Sequence, residues 1–395
     1  MAQPPKPPFS PPFFEDDEKT DPGIASSRGS SAKIALPPKP AEPQAAPVQV
    51  ATVKMPDLGL IDAFMKDPGI TEIMINDTRN IMIEREGKMM IGGVSYRTID
   101  DLNRLTRTIL DVTGRILSPD SPYVDVNLPD GSRVNIVGPP LTLHGPCITI
   151  RKFPTRRMTV DDLMNNGMLD QRIAYFLNAC VVGKLNILIS GGTGSGKTTL
   201  LNVLASFIPK SERIVIIEDT PELTVDHANS VKLQTKPQTP GSPPILPREL
   251  VANALRMRPD RIIVGECRRG EAFDMLQAMN TGHSGSMTTI HANTARDALF
   301  RLETLCMLSG LDLPLIAIRK QIATALDFVI QIQRFRNGNR KIVLLSEVVG
   351  MEGDVITTQD IFSSDGESFK TTGLVPTFVE RLKAMGIEFP QNYFG

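Results

Sequence analysis

The stretch L-N-I-L-I-S-G-G-T-G-S-G-K-T-T-L, Leu185 to Leu200, restricts the possible folds of this chain more than any other. An apolar run leads into a glycine-rich turn, and T-L-L-N-V-L-A-S-F, a good helix former, follows it. The spacing Gly191-x4-Gly196-Lys197-Thr198 satisfies the Walker A pattern of a phosphate loop between a buried strand and a helix. Glycines let the backbone wrap its N–H groups around phosphates, and the helix start adds a dipole that favours anions. Gly192, Thr193, Gly194, Ser195, Gly196, Lys197, Thr198 and Thr199 are the candidate nucleotide-binding residues. Lys197 is expected to reach the β- and γ-phosphates and the Thr198 hydroxyl to ligate Mg²⁺, so ATP and Mg²⁺ are the expected ligands.

Such a loop needs a sheet around it. Downstream, R-I-V-I-I-E-D, R-I-I-V-G-E and S-M-T-T-I-H alternate with helical segments. Continuous apolar strands separated by helices predict a parallel sheet covered on both faces. Ligands bind outside the carboxyl ends of such strands, where the loop also lies. Two of these strands end in acids, Glu218 with Asp219 and then Glu266. The three carboxylates are therefore expected at one site. Glu218 and Asp219 are metal-linked candidates, Glu266 is the candidate for polarising water, and the roles of Glu218 and Glu266 are interchangeable at this level. Gly265 stands where many phosphate-loop ATPases carry Asp, which leaves Glu266 alone on its strand end.

Residues 1 to 52 are Pro-rich, with P-P-K-P-P-F-S-P-P and L-P-P-K-P-A-E-P, and are expected to form a disordered tail. Residues 53 to 153 read as a small α+β domain. T-E-I-M-I-N-D and N-I-M-I-E-R-E-G-K are two strands, and a helix covers Asp100 to Leu110. Y-V-D-V-N-L and S-R-V-N-I-V-G pair around P-D-G, and C-I-T-I-R-K-F is one more strand, making about five. Residues 154 to 395 hold the phosphate loop. They open on a helix at Gln171 to Val182 and end in helices, the hairpin D-F-V-I-Q-I-Q-R-F with R-K-I-V-L-L-S-E-V-V-G, and a terminal helix near Pro376 to Met385. Lys236 to Pro247, with five prolines, is a stiff connector. The 43 basic and 44 acidic residues leave no charge excess for nucleic acid, and with no Trp and four Tyr there is little to stack bases. The four separated cysteines are expected to be reduced. No apolar run approaches the roughly 18 residues of a membrane span. A cytoplasmic protein, recruited to a membrane only through partners, is the expectation.

The motifs together are more specific than any one. The phosphate loop, I-I-E-D-T-P-E-L, V-G-E-C-R-R-G-E-A-F-D-M-L-Q-A-M-N-T-G-H and H-S-G-S-M-T-T-I-H-A-N-T occur in the order that resembles the secretion ATPases of type II and type IV systems. N-A-L-R-M-R-P-D-R-I-I-V-G-E and L-P-D-G-S-R-V-N are most similar to the CpaF/TadA branch, which serves tight-adherence (Flp-type) pili. The resemblance implies an α/β fold: a RecA-like ATPase domain with a parallel-core sheet, preceded by a PAS-like domain, in a homohexameric ring acting on inner-membrane platform proteins. It implies that His283 and His291 lie near the γ-phosphate, and that Arg133 and Arg151 reach nucleotide from the N-terminal domain when the domains close, with Arg151 to Met158 as hinge. A zinc role for the histidines lacks a third ligand at suitable spacing. A conjugation-type ATPase, a nucleotide-gated scaffold and a nucleic-acid translocase are the competing functions.

Overall fold

The computed structural model describes residues 54–153, 156–236 and 242–395. The expected tail lies outside them, as do two hinge residues and part of the Pro-rich connector. The described chain builds two sheets within one compact unit.

The first sheet has six strands: β1 (Ile70–Ile75), β2 (Ile81–Arg85), β3 (Lys88–Ile91), β4 (Tyr123–Asn127), β5 (Arg133–Val137) and β6 (Cys147–Arg151). They run in the order β3-β2-β1-β6-β5-β4, antiparallel throughout. The short helix α1 (Asp62–Lys66) and the longer α2 (Ile99–Thr113) cover one face. Thr98 and Asp101 form a capping box at the start of α2, and left-handed Gly114 ends it. Leu102, Leu105 and Ile109, at helical spacing, meet Ile73, Ile75, Val134, Ile136, Ile148 and Ile150 in the core. Strand residues alternate, so Glu72, Glu84, Arg133 and Arg151 project from the opposite face. The single strand expected through N-I-M-I-E-R-E-G-K is broken. Glu86 and Gly87 both take positive φ, 49° and 77°, and the chain reverses into β3 as a tight hairpin.

The second sheet has nine strands: β7 (Ile187–Gly191), β8 (Ile214–Glu218), β9 (Ser230–Gln234), β10 (Arg261–Val264), β11 (Met287–Ile290), β12 (Phe328–Arg334), β13 (Arg340–Glu352), β14 (Val355–Ser364) and β15 (Phe369–Thr371). Their order is β15-β14-β13-β12-β7-β11-β10-β8-β9. From β12 through β9 neighbours are parallel, and from β13 outward they are antiparallel. The expected terminal hairpin is therefore part of the main sheet, with its first strand beside β7. Strands β7, β8, β10 and β11 are buried at every position.

The remaining helices are α3 (Val160–Asn165), α4 (Gln171–Val182), α5 (Lys197–Ser206), α6 (Pro247–Ala254), α7 (Glu271–Asn280), α8 (Ala295–Met307), α9 (Leu315–Ala325) and α10 (Val379–Ala384). α5 lies on β7 and β11 with α4 beside it, while α6, α7, α8 and α9 share a core with Leu188, Val215, Val264 and Ile290. Arg261 at the start of β10 is wholly buried. It pairs with Glu212 at 2.5 Å and donates to the Val181 carbonyl at 2.6 Å, which satisfies a charge at the sheet's lower edge.

Candidate functional site

The phosphate loop leaves β7 at Gly191 and becomes α5 at Lys197. Gly194 and Gly196 take positive φ, 67° and 97°, a conformation glycine adopts without strain. Gly191 is required for a different reason: a Cβ there would fall 2.7 Å from the Ile332 carbonyl oxygen. Lys197, 7 % exposed, donates from Nζ to the carbonyls of Gly191 and Gly192 and to His291 Nδ1, each at 3.1 Å. Burial lowers its pKa to about 8, against the opposing pull of Glu266.

A lysine ammonium only donates, so His291 Nδ1 accepts and the proton sits on Nε2. That N–H faces Glu266 Oε1 at 3.1 Å. Burial and the Lys197 charge hold the His291 imidazole below its usual range, which keeps it neutral near pH 7. Glu266 Oε2 accepts from Arg268 at 2.9 Å, and Arg268 lies 3.6 Å from Asp219. One chain of polar contacts thus runs from Lys197 through His291, Glu266 and Arg268 to Asp219.

Glu218 has a different setting. It is buried, and Oε1 accepts the backbone N–H groups of Glu222 and Leu223, both at 2.9 Å. Burial raises its pKa. A Cβ on Gly265 would approach Glu218 Cγ to 3.1 Å, so Glu218 occupies space that a side chain on the neighbouring strand would need. This accounts for glycine at the position where Asp was the alternative. Thr198, Glu218, Asp219 and Glu266 line one small cavity of about 40 Å³. These hard oxygen donors suit Mg²⁺, which binds through one or two protein oxygens together with phosphates and water. Among the described residues no group of three His, Cys, Asp or Glu would hold a metal unaided.

The loop also faces the first sheet across a cleft of about 540 Å³. Thr193 to Thr199, Glu266 and His291 line one wall, and Arg133 and Arg151 line the other. Arg133 and Arg151 stand opposite each other on β5 and β6. Arg133 crosses to Glu222 at 3.2 Å, and Arg151 pairs with Glu72 at 3.0 Å. Gly192 contributes its carbonyl rather than cleft surface. His283 is the residue the geometry separates from the rest. β11 runs between the two histidines, parallel to β7, so His291 emerges at the loop's edge of the sheet and His283 at the opposite edge. His283 Nδ1 faces the Ala278 carbonyl at 3.3 Å, and the residue does not line the cleft. Its implied place near the γ-phosphate is corrected accordingly. Among the cleft residues that escaped sequence reasoning are Arg334 and Arg340 at the tip of the β12–β13 hairpin, and Glu72, Glu84 and Glu222 that pair with cleft arginines. For Arg334 and Arg340 the only local signal is an arginine on each side of F-R-N-G-N, which says nothing of the strand beside it.

The profile of the type II/IV secretion system protein family matches residues 54–356. The chain belongs to this family. As a secretion-system protein of this type, it is 33% identical over 323 residues to the type IV secretion system protein VirB11 of Bartonella quintana, covering 72% of this chain and 90% of that one. An uncharacterized protein of Methanocaldococcus jannaschii is 43% identical over 239 residues, 58% of this chain; the match spans only 33% of that longer relative. A solved structure of the pilus retraction motor PilT with bound ADP has a TM-score of 0.52 at 22% identity, covering 73% of this chain and 82% of that one, and so shares the fold. The sheet order and the phosphate loop at its centre are those of a RecA-like secretion-family fold. Among the described residues no helix is long and apolar enough to cross a membrane.

Proposed function

We propose that this chain is a hexameric motor that hydrolyses Mg-ATP to power assembly or retraction of a pilus, through inner-membrane platform proteins, in the manner of the CpaF/TadA branch. Its place is the cytoplasmic side of that membrane, held there by partners. The observation that carries the reading is the contact chain Lys197–His291–Glu266, which faces Arg133 and Arg151 across a single cleft.

Lys197 neutralises phosphate charge, and Glu266 orients the attacking water and takes its proton. His291 fixes one Glu266 oxygen and Arg268 the other, leaving the carboxylate little freedom to turn away. Arg133 and Arg151 stabilise charge that develops on the transferred phosphoryl group. Thr198, with Asp219 or Glu218, would hold Mg²⁺, which when bound neutralises phosphate charge and aligns the triphosphate. Glu218, engaged by two backbone amides, acts as support for that corner, and Glu266 is the better base. His283 holds the far end of the same strand.

Phosphate release with native mass tests the reading. Mg²⁺-dependent release from a particle of sixfold mass is expected; a monomer that binds ATP without turnover would replace the motor with a gated scaffold. A conjugation-type role is the second reading, favoured by the VirB11 relative and by the 31% identical putative conjugal transfer protein of Mycobacterium tuberculosis. Co-purification with a pilus or a conjugation platform protein separates the two. A nucleic-acid translocase would be revealed by tight binding of labelled single-stranded DNA at low salt.

A further inference from the structure

The β12–β13 hairpin touches the phosphate loop and the N-terminal sheet at once. Ile332 on β12 lies opposite Gly191, so the strand overshoots the point where the loop begins. Arg334 and Arg340 then face each other across the hairpin. Arg340 Nε donates to the Gly194 carbonyl at 2.8 Å. A Cβ on Gly194 would meet Arg334 Nη1 at 3.0 Å, and one on Gly196 would meet Arg340 Cδ at 3.4 Å. The two arginines therefore cover the two left-handed glycines of the loop. Arg334 also reaches out of its own domain, donating from Nη2 to Glu84 Oε1 at 3.0 Å and to the Gly87 carbonyl at 2.6 Å.

The arginines of the cleft are not alike. Arg133, Arg151, Arg157, Arg268 and Arg334 each pair with a carboxylate. Among the described residues Arg340 has none, and its one side-chain hydrogen bond goes to the loop. A glycine-rich loop has many conformations to lose when it closes on phosphate. Holding it beforehand lowers that cost, which strengthens binding without a new ligand contact.

We propose that Arg334 and Arg340 are positioning residues that hold the phosphate loop ready for nucleotide and make its affinity depend on where the N-terminal domain sits. Arg340 acts on the loop directly by a hydrogen bond, and Arg334, lying beside Gly194 without a hydrogen bond to it, ties the hairpin to Glu84. The inference rests on the nucleotide-binding reading above. If domain position alters loop order, bound nucleotide must favour the joined arrangement to the same degree.

The test uses the full chain, with Mg²⁺ and a fluorescently labelled ATP for binding, and steady-state turnover on the same preparations. Arg340→Ala is expected to raise Kd and KM about tenfold, the scale of one charge-assisted hydrogen bond, with kcat changed by less than about threefold. Arg340→Lys keeps the charge but not the Nε donor and is expected to fall between. Arg334→Ala and Glu84→Gln should each weaken binding about fourfold, and the double variant no more than Arg334→Ala alone, because both remove one link. Wild-type KM and Kd in Arg340→Ala would overturn the proposal, as would a loss confined to kcat or effects of Arg334→Ala and Glu84→Gln that multiply. Thermal melting accompanies each variant; if Arg340→Ala melts early, wild-type KM in Arg340→Lys is the overturning result. A wild-type chain that binds no labelled ATP would sink the nucleotide reading itself, whereas failure of this proposal alone leaves wild-type binding intact.

Discussion

The two sheets meet at one cleft but present themselves to it differently. In the N-terminal sheet burial alternates along β5 and β6, because helices cover only one face. The other face is free to carry Arg133, Arg151, Glu72 and Glu84, so this sheet offers a broad charged surface. In the central sheet β7, β8, β10 and β11 are buried along their whole length. Their middles hold apolar side chains and, on β11, the buried Thr288 and Thr289, so the candidate groups stand at strand ends: the phosphate loop after β7, Glu218 ending β8, Glu266 after β10 and His291 after β11. Strand ends fix a group to within the accuracy of the sheet, as a reacting centre requires. A sheet face can be lifted away as a body, as a switch requires.

The division of labour breaks most visibly at the strand ends. Glu266→Gln is expected to lower kcat by about 10⁴-fold while nucleotide still binds, since it removes the base and leaves the loop intact. Lys197→Ala should lose binding as well as turnover, because its buried ammonium is held within the loop itself, on the Gly191 and Gly192 carbonyls. If Glu266→Gln turns over normally, Glu218 becomes the base and its two backbone amide bonds must open in the working state.

Arg133→Ala and Arg151→Ala address the other sheet. Each is expected to lower kcat about 10³-fold, the scale of an arginine that stabilises the transferred phosphoryl group. Melting temperature should stay near that of wild type, because both side chains lie off the core face. Single-turnover phosphate release measures the effect. A change of less than threefold would make the N-terminal sheet a cover over the cleft rather than part of the reaction.

The same contrast explains what was legible in the sequence. Buried parallel strands are written as apolar runs, so β7, β8 and β10 and the carboxylates after β8 and β10 stand out, while β11 carries two threonines and is read from the same alternation with helices. The helix expected at Gln171 to Val182 is observed with those bounds. β3 escaped because all four of its residues are exposed and no alternation marks them. The partner of β12 escaped because pairing between strands more than a hundred residues apart leaves no local trace. Arg334 and Arg340 could not be placed at the loop without it. His283 was misplaced by its motif, although reading Met287 to Ile290 as a strand already puts the two histidines at opposite ends. The tail remains an expectation from composition.

Nucleotide affinity is also expected to depend on pH, in a way that separates the sheets by which of their cations titrate. Lys197 is held at about 8 against an ordinary 10.5 by burial. The protonated form binds phosphate, so nucleotide affinity should be flat well below pH 8, bend down through it, and fall about tenfold per unit well above it. Below the ordinary imidazole range, a proton on His291 removes the acceptor of Lys197 and sets a second positive charge beside it, so binding geometry and turnover should both suffer in acid. Stability without nucleotide moves the other way at high pH. Between about 8 and 10.5 the unfolded chain holds the proton that folded Lys197 has released, so the stability of the fold rises with pH through that window as far as this group is concerned. Arginines do not titrate there, so the alkaline loss of affinity should survive in Arg133→Ala and Arg151→Ala, moved to higher pH in the latter because the Arg151 charge helps to lower the Lys197 pKa. Labelled-ATP titrations and melts across pH 6 to 10 check both directions. An alkaline loss that disappears with those arginines would mean that the N-terminal face, and not the buried lysine, sets the charge the phosphates meet.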